Sequence, residues 1–193
     1  MARWQPGATQ RLVVAAVDLF SEQGYDATTV AQIAERAGVT KSTFFRHFAD
    51  KRELLVAGQE TLSRLLADGI TDAPADATPL QAVAAGLARA SDAMGPANRD
   101  LGPRIKAAVA ASTELQERDA LKSVGLAAAM ATALRGRGIP DTTAQLAAEV
   151  GILAFKRGYA RWSETGREDD APELAPYALA ALEDLRAATA ELG

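Results

Sequence analysis

The 193-residue chain has no cysteine and only one histidine. Without cysteine there is no disulfide framework, no thiol nucleophile and no thiolate metal site. With a single imidazole, a metal site would have to be carboxylate-rich. No run of eighteen apolar residues occurs, and the opening MARWQPGATQ lacks the apolar core of a signal peptide, so the expected place is the cytoplasm. Also missing are a phosphate-binding loop, a Gly-x-Ser-x-Gly elbow and a dinucleotide fingerprint. Neither an enzyme nor a cofactor or metal is expected. The acidic run Glu168-Asp169-Asp170 reads as a solvated turn with a helix cap.

Aromatic residues amount to 5%, while alanine is abundant, which favours helix over strand. The net charge of −4 is unevenly spread. Residues 1–52 hold seven Lys/Arg against five Asp/Glu, and residues 53–193 hold fourteen against twenty. A mildly basic head on an acidic body suits a small nucleic-acid surface carried by a larger regulatory domain. Apolar spacing and caps predict an all-α fold of about nine helices. Boxes at Thr29-x-x-Gln32, Asp50-x-x-Glu53, Thr78-x-x-Gln81, Thr113-x-x-Gln116 and Thr142-x-x-Gln145 mark helix starts. The helix opened by Asp50 is expected to run to about Asp68 and to join the two parts. Domains are predicted at 1–52 and 53–193.

Two short helical patterns flank the turn Ala37-Gly38-Val39-Thr40, a helix–turn–helix able to lay its second helix in the DNA major groove. Phe44 and Phe48 are four apart and share an inward face, which leaves Lys41, Ser42, Thr43, Phe45 and His47 on outward or flanking faces. Small polar residues at the start of an inserted helix approach base edges closely, and a threonine both hydrogen-bonds and touches a thymine methyl. Lys41, His47 and Lys51 suit phosphates, as do the free N–H groups at the helix starts near Thr29 and Asp50.

The pattern LFxxxGYxxTTVxxIAxxAGVTKxTxFxHFxxKxxLL, from Leu19 to Leu55, resembles the DNA-binding domain of the tetracycline-repressor (TetR) family. The resemblance implies an all-α homodimer with a three-helix N-terminal DNA-binding domain, followed by a helical domain that binds a small effector and dimerises. It places base contacts on Lys41, Ser42 and Thr43, and phosphate contacts on Thr28, Thr29, Phe45, His47 and Lys51. Thr40 joins these as the cap of the recognition helix. Phe45 departs from the tyrosine usual in the family and removes a hydroxyl from the phosphate contacts, so weaker anchoring is expected. Ser42 stands where the family often has glycine.

In the body, Ala147, Gly151, Ala154 and Gly158 form a stripe of small residues along one helix, and Leu174, Tyr177, Ala178, Ala181, Leu182 and Leu185 an apolar face on the last. Packed two-fold against themselves, these would make a four-helix dimer interface. Core packing within one chain explains the same faces. Met94, Leu101, Ile105, Val109, Leu126, Met130, Phe155, Tyr159 and Trp162 are candidates for an apolar effector cavity or for plain core. The run Asn98 to Arg118, with Leu134 and Trp162, resembles regulators of acyl-coenzyme A-like ligands. That resemblance would set Arg99, Arg104 and Lys106 against phosphates, where solvated surface is the plainer role. The expected partners are a palindromic duplex, a second copy of the chain and a largely apolar effector. The expected function is a ligand-responsive repressor. The alternative is a helical interaction module that has lost DNA binding.

Overall fold

The computed structural model describes residues 7–165 and 173–192; the run 168–170 and Pro172 lie outside them. Helices in chain order are α1 (Ala8–Gln23), α2 (Val30–Arg36), α3 (Lys41–His47), α4 (Gln59–Thr71), α5 (Pro79–Asp92), α6 (Pro96–Ala110), α7 (Thr113–Gly136), α8 (Asp141–Glu164) and α9 (Leu174–Glu191). A 3₁₀ segment, Lys51–Val56, precedes α4. No strand occurs among the described residues.

Two compact units result. The head comprises the chain through Ala57 together with Arg104–Leu121, and the body comprises Gly58–Pro103 together with the chain from Lys122. The boundary expected after residue 52 therefore falls inside the 3₁₀ segment. The continuous helix expected from Asp50 to Asp68 is broken. Ala57 turns to ψ 128° and Gly58 takes φ 78°, a left-handed conformation that costs glycine little and other residues more. Only α4 behind that break is α-helical.

The head core gathers Leu12, Ala16 and Leu19 of α1 with Ile33, Phe44, Phe48 and Leu54. Leu115 of α7 is fully buried in the same core, beside Ala108 of α6. Thr29 and Gln32 make the reciprocal capping box expected at α2. Gly38 takes φ 66° in the turn that follows, and Arg11 of α1 donates to the Ala37 carbonyl there at 3.1 Å.

In the body, the box of Thr78 and Gln81 forms as expected, with Pro79 at the first helical position. Those expected at Thr113 and Thr142 do not. The Ser112 hydroxyl caps α7 (in the head) instead, and α8 starts after Pro140 without a side-chain cap. The core of the body is built on Leu66, Ile70, Val83, Leu87, Met130, Leu134, Phe155, Trp162 and Leu182. Helix backbones meet closely there: a Cβ on Gly69 would lie 2.7 Å from the Gly86 Cα, and one on Gly158 would lie 2.5 Å from the Ala178 Cα.

Candidate nucleic-acid interface

α3 is anchored by one side and offered by the other. Phe44 is fully buried and packs edge-on against Phe45 and tilted against Phe48, at centroid separations of 5.4 and 5.7 Å. Thr40 caps the helix, its hydroxyl accepting from the Thr43 N–H at 3.1 Å and lying 3.1 Å from the Thr43 hydroxyl. Lys41, Ser42, Phe45, Arg46 and His47 are exposed, and Thr43 is half-buried. Phe45 is 57% exposed, a large apolar ring held in water. The His47 Nδ1 lies 3.3 Å from the Thr9 hydroxyl of α1.

Arg46 was not among the residues expected from sequence, yet it stands at the centre of the outward face. Ser42 and Arg46 are four apart, opposite the buried Phe44 at 100° per residue. That spacing is the signal in the sequence that marks Arg46 as outward-facing. Lys41 and Arg46 make no ion pair or hydrogen bond with the described residues.

Other expected contacts sit behind this face. Thr28 is 2% exposed; its hydroxyl donates to the Gly24 carbonyl at 2.7 Å and accepts from Gln23. Burial removes that side chain from the surface, against the expectation of a phosphate contact. Lys51 donates to the carbonyls of Tyr25 and Thr28 at 2.7 and 3.0 Å, so its ammonium is engaged inside the head. Thr29 remains exposed but is occupied by its capping box. The N–H groups after Asp50 are likewise taken, since its carboxylate accepts from those of Arg52 and Glu53. The Arg52 guanidinium beside Asp50 holds that carboxyl below its ordinary value.

Within the head, the segment 104–121 is fastened by charge as well as by Leu115. Arg118 donates to Glu53 at 2.6 Å, Arg52 lies 3.3 Å from Glu114, and Arg104 pairs with Asp18 of α1. Burial, with Glu114 alongside, pushes the Tyr25 phenol well above its ordinary value. Arg104 and Ile105, expected in an effector cavity, thus belong to the head, and the Arg104 charge is matched by a carboxylate.

Val109 lies in the head as well, packed against its core, and the rest of that expected set lies in the body. Met130 is fully buried, and its methyl faces Gly151. Phe155, Tyr159 and Trp162 form a ladder on α8 with centroids 6.3 and 5.6 Å apart. Burial pushes the Tyr159 phenol up to about 12, and its hydroxyl donates to the Asn98 carbonyl. Met94 and Leu101 are half-buried. Arg99, for which solvated surface was the plainer expectation, is buried and donates to the Thr165 carbonyl.

The small stripe of α8 also lies differently from its expected place at a dimer interface. Ala147, Gly151, Ala154 and Gly158 are all buried within the single chain, Gly158 against the Ala178 backbone. Leu174, Ala181, Leu182 and Leu185 of α9 are buried there too, with Tyr177 half-buried. The outward side of α8 instead carries Leu146 and Leu153, at 64% and 44% exposure, with half-buried Val150 between them. Among the described residues, no group of three metal-ligating side chains forms and no helix is long and apolar enough to cross a membrane.

Comparison with known proteins agrees with this geometry. Residues 12–57 match the family model of bacterial regulatory proteins, tetR family. The transcriptional regulator TcmR of Streptomyces glaucescens is 40% identical over 86 residues, covering 40% of this chain and 38% of that protein. The transcriptional activator FasR of Mycolicibacterium smegmatis is 43% identical over 47 residues, covering 24% and 22%. The chain thus spans well under two thirds of these relatives. Solved structures agree over nearly the full length. They include a TetR-family regulator of Syntrophomonas wolfei (17% identity, TM-score 0.61, 96% of this chain and 95% of that one). Bacillus subtilis FadR in complex with stearoyl-CoA is another (18% identity, TM-score 0.55, 90% and 95%). The N-terminal residues 12–57 thus match the tetR family of bacterial regulatory proteins, and the chain shares its fold with a solved TetR-family regulator.

Proposed function

We propose that the protein is a sequence-specific transcriptional regulator that reads a palindromic operator as a homodimer and releases it when an apolar effector binds the body. The observation that carries this reading is α3, locked inward by Phe44 and outward-facing with Ser42, Arg46, Lys41, Thr43, Phe45 and His47. In a major groove, Ser42 and Thr43 meet base edges while Lys41 and Arg46 bring charge to bases or phosphates. Thr28, Thr40 and Lys51 support the reading face from behind, and Thr29 flanks it.

For the dimer, Leu146, Val150 and Leu153 on the outward side of α8 are the surface we assign, because large apolar side chains in water gain most from being covered. Two-fold pairing sets two recognition helices about one turn of DNA apart, roughly 34–36 Å. The effector is assigned to the body beside Phe155, Tyr159 and Trp162, and the stearoyl-CoA complex of Bacillus subtilis FadR supports an acyl-chain-like ligand. An effector that prefers a different spacing of the heads weakens DNA binding by its own difference in affinity for the two states.

The test is selection of bound fragments from a genomic library by purified protein freed of co-purified ligand. An enriched palindrome is expected. Folded, dimeric protein that enriches nothing would favour the interaction module. On the enriched site, Thr43→Ala should shift base preference at one position per half-site by about 1–3 kcal/mol. Equal losses on every sequence would deny Thr43 its base-reading role.

A further inference from the structure

Lys51 sits where the family resemblance puts a phosphate contact, yet its surroundings describe a different task. An ammonium has three N–H donors and no acceptor. Two of the three are used on the carbonyls of Tyr25 and Thr28, at 2.7 and 3.0 Å. Its remaining side looks onto the Tyr25 ring, whose centroid is 4.0 Å from Nζ. A cation over an aromatic face is itself stabilised. Reaching a phosphate would strip Lys51 of both carbonyls and of the ring together.

The site it fills is the joint of the head. Residues 24–28 turn the chain between α1 and α2, and the clasp closes that turn from 26 positions later in sequence. Gln23 holds the turn from its other end, its amide donating to the Ala27 carbonyl, the Thr28 hydroxyl and Gln32. Thr29 begins the capping box of α2 immediately beyond. α2 in turn carries Ile33, which shares the head core with Phe44 of α3. Lys51 therefore sets the seating of α2, and through α2 that of the reading helix.

Resting on the DNA-binding function proposed above, we infer that Lys51 is a positioning residue that clasps the α1–α2 turn and is not a phosphate ligand; the free phosphate-facing cations of the described head are Lys41 and Arg46. The distinction is visible in the salt dependence of binding, because each phosphate neutralised adds about 0.9 to the slope of log K against log salt. The probe is a random-sequence 30-base-pair duplex, titrated with the full-length protein between about 50 and 200 mM salt. Lys51→Met should weaken binding by about tenfold at every salt, the factor one charge-assisted hydrogen bond supplies, with the slope unchanged. Lys41→Met and Arg46→Met should each flatten the slope by about 0.9 for every phosphate no longer neutralised.

A flatter slope for Lys51→Met would show a phosphate ligand and overturn the assignment. So would wild-type affinity in a folded Lys51→Met protein, which would leave the clasp a role in stability alone. Should the variant not fold, amine-reactive labelling of the wild type decides. Lys51 should label slowly both with and without duplex, whereas Lys41 should label readily and be shielded by it. Ready labelling of Lys51 that the duplex blocks would overturn the proposal. A wild type that ignores the duplex altogether counts against the DNA reading itself, and against a positioning role with it.

Discussion

In the head, polar side chains hold the backbone in place: Thr29 and Thr40 cap helices, Arg11 takes the Ala37 carbonyl, and Lys51 takes those of Tyr25 and Thr28. The body has such clasps too, Arg137 taking the carbonyls of Ile70, Thr71, Ala73 and Pro74, but there backbones also meet directly, with Gly69 against Gly86 and Gly158 against Ala178. The first arrangement leaves one helix free to present a whole face, because its position is fixed from behind. The second brings helices close, and any change in side-chain size at a crossing must move a helix. A reading head gains from fixed geometry. A body that responds to a ligand gains from interfaces that discriminate finely between two packings.

Two substitutions press on that contrast. Phe44→Ala removes the fully buried ring on which α3 is seated, and a buried Phe→Ala change costs about 3–5 kcal/mol. Thermal unfolding should show that loss, and operator affinity should fall well below Tm because α3 is no longer seated. Unchanged DNA affinity would mean that α3 is positioned by its caps alone. Gly158→Val probes the body. Its new Cβ would lie 2.5 Å from the Ala178 Cα and 2.6 Å from the Ala178 nitrogen, both backbone atoms. Overpacking of this kind costs about 1–3 kcal/mol. Denaturant titration should register that loss; wild-type stability would show that α8 and α9 part easily and that their close approach does not hold the body.

How much of this was readable before the structure also divides along the same line. The head announced itself through spacing: Thr29 with Gln32, the Gly38 turn, and Phe44 with Phe48 each state a local geometry in a few residues. The roles of Thr28 and Lys51 were not legible, because their partners are carbonyls, which every residue has. The inward stripe of α8 was visible as a pattern but not by direction. In an alanine-rich helix, apolar spacing leaves several faces equally apolar, and only the neighbours decide which is covered. Leu146 and Leu153 fix the answer by standing in water on the far side. The break at Gly58 is hidden in the sequence because apolar periodicity resumes in register beyond this one left-handed residue.

The smallest effect concerns the cap that starts the 3₁₀ segment. The Asp50 carboxylate accepts from the N–H groups of Arg52 and Glu53 at 2.8 and 3.2 Å, whereas α8 in the body begins at Pro140 with no such acceptor. Asp50→Ala should therefore cost the head about 1 kcal/mol at neutral pH, the usual loss for an N-cap carboxylate. The side-chain hydrogen bond from Arg52 lowers the Asp50 pKa below 3.8 in the folded chain. For a lowered carboxyl pKa the stabilising contribution is present above the unfolded value and fades as pH falls through the folded one. Urea titrations of both proteins at pH 7 and again below pH 3.8 should show the gap narrowing in acid. A gap that stays constant across that range would assign the loss to the geometry of the turn rather than to the charge that caps it.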